Sequence, residues 1–341
     1  MSNRKTNENG ADLSCRLNRV GGQAVLEGVM MKAGSRTVTT CRKEDGTLAV
    51  VDDSFVSIRS KHKILDLPIV RGVVNFIEMM MLSVKTLGAS ADAMGLEEEE
   101  PSKFEKWLKE KLHIDITAFV MVVSVILGLA LSVFLFLFLP IWISAGINFV
   151  LDYFFNTSMG PTVTAVVEGL LKMTIFIVYL ALVSLMPEIK RTFMYHGAEH
   201  KTIFCYEKGL ELTVENVKMQ TRFHPRCGTS FLFLMVFVGI MIMIPVGLVL
   251  SRILPEFILE SRPLYTLVRT GITVIIMPLM VGLGYELIKL AGRHDNVVTR
   301  IISAPGLWMQ RITTKEPEDS MIECAIEALK AVIPDDNSDK Y

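Results

Sequence analysis

Phe231-Leu-Phe-Leu-Met-Val-Phe-Val-Gly-Ile-Met-Ile-Met-Ile-Pro-Val-Gly-Leu-Val-Leu250 carries no charge over its whole length. A helix rises about 1.5 Å per residue, so a run of this length covers the roughly 30 Å hydrocarbon core of a bilayer. Three other stretches repeat the signal, at 116–143, 163–186 and 264–285. The first of these is as uninterrupted as 231–250. The stretch at 163–186 carries Glu168 and Lys172, an i, i+4 pair, and 264–285 carries Arg269 near its start. The expected fold class is an α-helical integral membrane protein with about four transmembrane helices and a small cytoplasmic α+β portion.

Composition agrees with that expectation. The chain has 341 residues, of which 51% are hydrophobic, and a net charge of only -1, with a mean hydropathy of +0.42. Phosphate-backbone affinity needs a surplus of Lys and Arg, so no nucleic-acid partner is expected. Cys15, Cys41, Cys205, Cys227 and Cys324 are dispersed, with no C-x-x-C pair, and read as reduced cytoplasmic thiols. The polar opening residues lack the apolar core and cleavage site of a signal peptide.

Charge bias orients the spans. The connection at 144–162 has no Lys or Arg, and that between the last two spans has only Arg252 and Arg262, whereas 187–230 is rich in both, from Lys190 to Arg226. The positive-inside rule places that middle loop and both termini in the cytoplasm of a multi-pass cell-membrane protein. The chain then divides into a disordered tail (1–20), a cytoplasmic β-hairpin with amphipathic helices (21–115), a first pair of spans (116–186), the middle loop (187–230), a second pair (231–285) and a cytoplasmic tail with an amphipathic helix (286–341).

Within 21–115, the glycine-rich run at 21–32 lacks the Gly-Lys-Ser/Thr ending of a phosphate loop and reads as a tight turn feeding a strand. The β-branched runs at 37–42 and 47–51 flank Asp45-Gly46, a hairpin signal, and 55–58 is a short strand that extends it. A Met-rich amphipathic helix at 68–93 packs against other helices or lies on the membrane surface. A linker at 97–101 and a short charged helix at 103–113 lead to the first span. In the tail, 321–332 reads as an amphipathic packing helix.

The chemistry concentrates in the middle loop, at Tyr195-His-Gly-Ala-Glu-His-Lys201. On a helix His196 and His200 stand one turn apart with Glu199 beside them, the H-x-x-E-H pattern. The loop ends in His224-Pro-Arg-Cys227, a second pair of metal-compatible groups directly before the third span. An imidazole–thiolate set favours zinc over Mg²⁺ or Ca²⁺, with iron or manganese also compatible. Polar packing of a helical His pair is the plain alternative.

Two metal readings are open. In an enzyme, His196, His200 and one of His224 or Cys227 hold the metal, and Glu199 is the base that takes a proton from the attacking water. That protein is a hydrolase at the cytoplasmic membrane face, acting on a membrane-protein or lipid-linked substrate. In a structural site all four of His196, His200, His224 and Cys227 bind, and Glu199 only orients a ligand. The usual third ligand of H-x-x-E-H peptidases is a distant carboxylate, for which Glu27, Glu207, Glu211 and Glu215 are the candidates. Glu27 and Arg226 are also expected neighbours of the site. A further class is a non-catalytic scaffold or an insertion or assembly factor, in which the wide apolar helix holds client segments.

The motifs Gly-Gly-Gln-Ala-Val-Leu-Glu-Gly-Val-Met-Met at 21–31, Tyr-His-Gly-Ala-Glu-His-Lys at 195–201, Leu-Thr-Val-Glu-Asn at 212–216, His-Pro-Arg-Cys-Gly-Thr-Ser-Phe at 224–231 and Pro-Gly-Leu-Trp-Met-Gln at 305–310 occur in one order along nearly the whole chain. In this the sequence resembles the YqhQ-like family of bacterial multi-pass membrane proteins of unknown function, described as predicted metal-dependent. The resemblance implies a metal site as a family trait and supplies no reaction.

Overall fold

A computed structural model of the chain describes residues 20–94, 116–293 and 296–333. The tail expected at 1–20, apart from Val20, the linker at 97–101 and the charged helix at 103–113 lie outside the described residues. Four strands open the fold: β1 Val20–Val25, β2 Gly28–Ala33, β3 Arg36–Arg42 and β4 Leu48–Ser54. The helices are α1 Val70–Ala93, α2 Ile116–Val133, α3 Leu139–Phe155, α4 Pro161–Val183, α5 Pro187–Glu207, α6 Val214–Lys218, α7 Gly228–Ile253, α8 Glu256–Glu260, α9 Arg262–Arg293, α10 Val297–Thr313 and α11 Asp319–Val332. They sort into two compact units, one holding the described residues up to 94, 180–235 and those from 281 on, the other holding 116–179 and 236–280.

In the first unit the strands form an antiparallel meander in the order β1-β2-β3-β4. The expected hairpin is β3–β4, in the register Thr40 opposite Val50. The glycine-rich run differs from its reading. Instead of a turn feeding one strand it is two strands, β1 and β2, joined at Leu26-Glu27, with Val25 opposite Gly28. Gly28 is required there, because a Cβ would collide with the Thr40 carbonyl and with Cys41. The apolar run Val29-Met30-Met31 has no polar face because the sheet is covered on both sides: Val29 and Met31 join one buried cluster and Met30 the other.

Residues 55–58 do not extend the sheet. The Ile58 N–H donates to the Glu78 carboxylate at 2.7 Å, as does Ser57 Oγ at 2.8 Å, and the chain turns into a short 3₁₀ segment at Ile58–Ser60. A backbone donor held by a carboxylate is lost to a strand ladder.

α1 is amphipathic, as expected. It packs Leu82 on Val25, Met30 and Cys41, sets Gly72 where a Cβ would lie 2.7 Å from Tyr285 Cβ, and pairs Arg71 with Glu286 at 2.5 Å. Its opposite face exposes Ile77, Met80, Met81 and Val84.

The other side of the sheet is covered by α11, which lies between it and α5. Met321, Ile322, Ala325, Ala328, Leu329 and Val332 are buried there against Val29, Met31 and Val38 of the sheet and Ala198, Ile203 and Cys205 of α5. The stretch at 202–206 continues α5 to Glu207. At the hairpin turn Glu27 adopts a positive φ of 46° and accepts a two-pronged pair from Arg191 at 2.6 and 2.5 Å and a bond from the Tyr195 hydroxyl at 3.2 Å. Those bonds tie the turn to the first half of α5.

In the second unit α2 and α3 are joined without a break through a π-helical turn at Phe134–Phe138, so the apolar segment runs past 143 to Phe155. Asn156, at a φ of 50°, ends it. Glu168 pairs across to Arg269 of α9 at 2.5 Å. Among the described residues five helices are long and apolar enough to cross a membrane: Val70–Ala93, Ile126–Phe155, Thr162–Val183, Gly228–Ile253 and Leu267–Leu290. The fifth, relative to the reading of four, is α1.

Two outcomes follow for stability. Leu329→Ala opens a cavity in the sheet–α11–α5 core and lowers the unfolding free energy by about 2–5 kcal/mol, to be measured by denaturant titration of the full chain in detergent. The Glu27 carboxyl is held below its usual value of 4.5, chiefly by the Arg191 hydrogen bonds acting against partial burial. Its contribution is therefore complete above the unfolded-state value and lost as pH falls through the folded-state one. The thermal-stability gap between the parent and Glu27→Gln is expected to be widest near neutral pH and to narrow as pH falls below the carboxyl's usual 4.5.

Candidate metal centre

α5 carries the cluster because its sequence lets other backbone come close. Gly197 packs where a Cβ would strike the Lys315 carbonyl, and Ala198 is buried in the core. The segment after α10 can therefore lie directly on the helix, with Lys315 N–H donating to the Phe193 carbonyl at 2.8 Å. That contact brings the Thr313 carbonyl to His196 Nδ1, at 2.9 Å. The Arg222 carbonyl reaches His200 Nδ1 at 2.6 Å. A carbonyl only accepts, so both Nδ1 atoms carry a proton, and each ring in its neutral form has its lone pair on Nε2.

The two rings converge on a thiol. Cys227 Sγ lies 3.2 Å from His196 Nε2, and one donor atom from each of His196, His200 and Cys227 falls within 4.8 Å of the other two. Glu199 Oε2 stands 3.7 Å from His196 Nε2 and 4.0 Å from His200 Nε2. The carboxylate fits because its neighbour in β1 is a glycine: a Cβ on Gly22 would lie 2.9 Å from Glu199 Cγ and 2.7 Å from the Met30 carbonyl.

His200, Glu199 and Cys227 are buried and His196 is partly so. Burial raises the Glu199 carboxyl pKa, against the opposing pull of His200 and His196. Burial would raise the Cys227 thiol as well, but His196 and His200 outweigh it and hold it well below 9.0. The thiolate in turn raises His196, against its own burial, to about 9. The cluster is thus a buried thiolate paired with the His196 imidazolium, with the His200 ring and a carboxyl at its side.

His224 is placed differently. Its ring lies 5.6 Å from that of His200, but Nδ1 accepts from the Arg226 N–H at 3.3 Å and Nε2 faces Glu207 Oε2 at 3.5 Å. Both nitrogens are engaged away from Cys227, and burial holds the ring below its usual pKa and neutral. What His224 contributes is backbone. Gln310, fully buried, accepts from the His224 N–H and donates to its carbonyl, both at 2.7 Å, and donates to Ser230 Oγ at 3.1 Å.

The expected third carboxylates are occupied or distant. Glu27 is bound by Arg191 and Tyr195, Glu207 is paired with Arg226 and His224, and Glu211 and Glu215 are exposed. Gln310, Gly22 and the carbonyls of Thr313 and Arg222 are participants that pattern reading did not name. The motifs at 21–31 and 305–310 were the available signal for the first two.

Two comparisons place the chain. It is 31% identical over 319 residues, 92% of each chain, to the uncharacterized protein YqhQ of Bacillus subtilis (strain 168). No solved structure matches it. A family model described as protein of unknown function (DUF1385) matches residues 67–335, and the chain belongs to that family.

Proposed function

We propose that the chain is a membrane-embedded zinc protein whose site performs hydrolysis at the cytoplasmic face. The observation that carries this reading is the fixed tautomer of both histidines. Each Nδ1–H is held by a backbone carbonyl, His196 Nε2 is turned to Cys227 Sγ and His200 stands within reach of both, the outer-sphere arrangement by which proteins orient imidazole ligands. The donor set fits the ion: two imidazoles and a thiolate are zinc ligands, and three protein donors with His224 turned to Glu207 leave a fourth position open. A zinc ion bound there supplies Lewis acidity and lowers the pKa of a water.

The chain's own residues do the rest. Glu199, whose Oε2 stands 3.7 Å from His196 Nε2, would accept a proton from a water at the site, and its raised pKa would suit it to hold and return one. His196, the most accessible of the cluster, marks the side from which substrate enters. The positive-inside bias favours the cytoplasm for this unit, with four of the apolar helices crossing the bilayer, since the sheet before α1 packs on α5 and α11 and therefore lies on their side of the membrane. A carbonyl substrate held at the membrane, lipid-linked or part of another membrane protein, suits that location.

A second reading rests on the 3.2 Å contact itself. Without an ion, Cys227 and His196 form a thiolate–imidazolium pair, and Cys227 directly precedes the first residue of α7, where the helix dipole favours a thiolate. That arrangement is a nucleophilic thiol.

Elemental analysis of full-length protein purified without chelator separates these readings. About one zinc per chain is expected in the parent, with most of it lost in His200→Ala and Cys227→Ser. Equal metal in the parent and His200→Ala defeats the zinc site, and rapid alkylation of Cys227 in a metal-free parent supports the nucleophile. Glu199→Gln is expected to keep the zinc and lose the cellular phenotype of the parent gene; a variant that keeps both assigns the metal a structural role. Gly22→Ala is expected to behave like Glu199→Gln, retaining metal while costing about 1–3 kcal/mol of stability, because the added methyl displaces the carboxylate.

A further inference from the structure

The second unit holds charged groups that the proposed hydrolysis does not use. Glu168 and Lys172 lie one turn apart on α4, and Arg269 reaches Glu168 from α9 with Nη1 at 2.5 Å of Oε2. The carboxylate is buried at 5% exposure. Lys172 has no carboxylate within 4.0 Å among the described residues, yet it stands one helical turn from Glu168, on the same face of α4. Two cations face one carboxylate, which leaves one positive charge in excess.

That excess sits inside an apolar helix. Lys172 is the middle residue of the candidate span Thr162–Val183, and helical side chains lean toward the N-terminus, which brings its ammonium toward the level of Glu168. Glu168 lies six residues into the span, roughly 9 Å along its axis at 1.5 Å per residue. An unbalanced charge at such depth is costly, and proteins keep one where it faces a partner or ligand. The guanidinium is also underused: only Nη1 bonds protein among the described residues, so its other N–H groups are available to an acceptor.

We propose that Lys172 and Arg269 form a binding site for a phosphate group, with Glu168 holding the guanidinium in place. A phosphate offers several acceptor oxygens to an ammonium and a guanidinium fork at once and balances the excess charge. The group comes from an anionic phospholipid headgroup entering between helices or from a soluble phosphate compound. None of the residues of the α5 cluster takes part, so the site stands or falls apart from the zinc reading.

The test uses the full chain in mild detergent. Native mass spectrometry with phosphatidylglycerol as probe reads lipid retention, and thermal unfolding with added inorganic phosphate reads the free anion. The parent is expected to retain one phosphatidylglycerol, Lys172→Met to hold it about tenfold more weakly, and Lys172→Arg to keep it. If no lipid is retained but inorganic phosphate raises the unfolding midpoint of the parent and not of Lys172→Met, the site stands and its phosphate is soluble. If Lys172→Met does not fold, Lys172→Gln takes its place in both measurements. Equal lipid retention together with an equal phosphate response in parent and variant overturns the proposal.

Discussion

Two hydrogen bonds to backbone decide the character of this protein. The carbonyls of Thr313 and Arg222 fix the imidazoles of His196 and His200, at 2.9 and 2.6 Å. A free imidazole exchanges its proton between nitrogens, but one whose Nδ1–H is held by a carbonyl has a single lone pair, aimed in a single direction. Both carbonyls belong to segments far from α5 in sequence. Their placement requires the packing that surrounds them.

That packing is a chain of dependences. The Thr313 carbonyl reaches His196 because the segment beyond α10 lies against Gly197. The segment is held there because α11, which follows it, is buried between the sheet and α5. The sheet is pinned to α5 through Glu27, Arg191 and Tyr195. On the other side Gln310 grips both backbone groups of His224 and so positions the connection that leads to Cys227. A polar group in such a buried place costs free energy unless it is bonded, and here each backbone contact satisfies a donor while it aims a ligand. The architecture of the first unit and the geometry of its cluster are one problem in hydrogen-bond satisfaction.

Polar groups in the second unit meet a harsher version of the same constraint. Glu168 and Arg269 neutralise each other between α4 and α9, and Lys172 remains without a carboxylate among the described residues. Sequence spacing pairs Glu168 with Lys172 along one helix, but the contact made is across helices, through one nitrogen of the Arg269 guanidinium. The pairing along the helix is a local possibility; the pairing across helices needs the third dimension.

The sequence by itself was enough for the helical class, the long apolar helices, the β3–β4 hairpin, the amphipathic character of α1 and α11, and the convergence of interest on His196, Glu199, His200 and Cys227, because periodicity, turn chemistry and ligand type are local properties. The tertiary structure decided the rest. It made the glycine-rich run a pair of strands, the second of them buried on both faces, a state whose continuous apolar pattern cannot be told from a turn and one strand. It continued the first apolar segment to Phe155 and made α1 a fifth helix of membrane-crossing length. It turned His224 toward Glu207 and brought His196, His200 and Cys227 together. Residue type says that an imidazole can be a ligand; only the neighbours that occupy its two nitrogens say where the lone pair points.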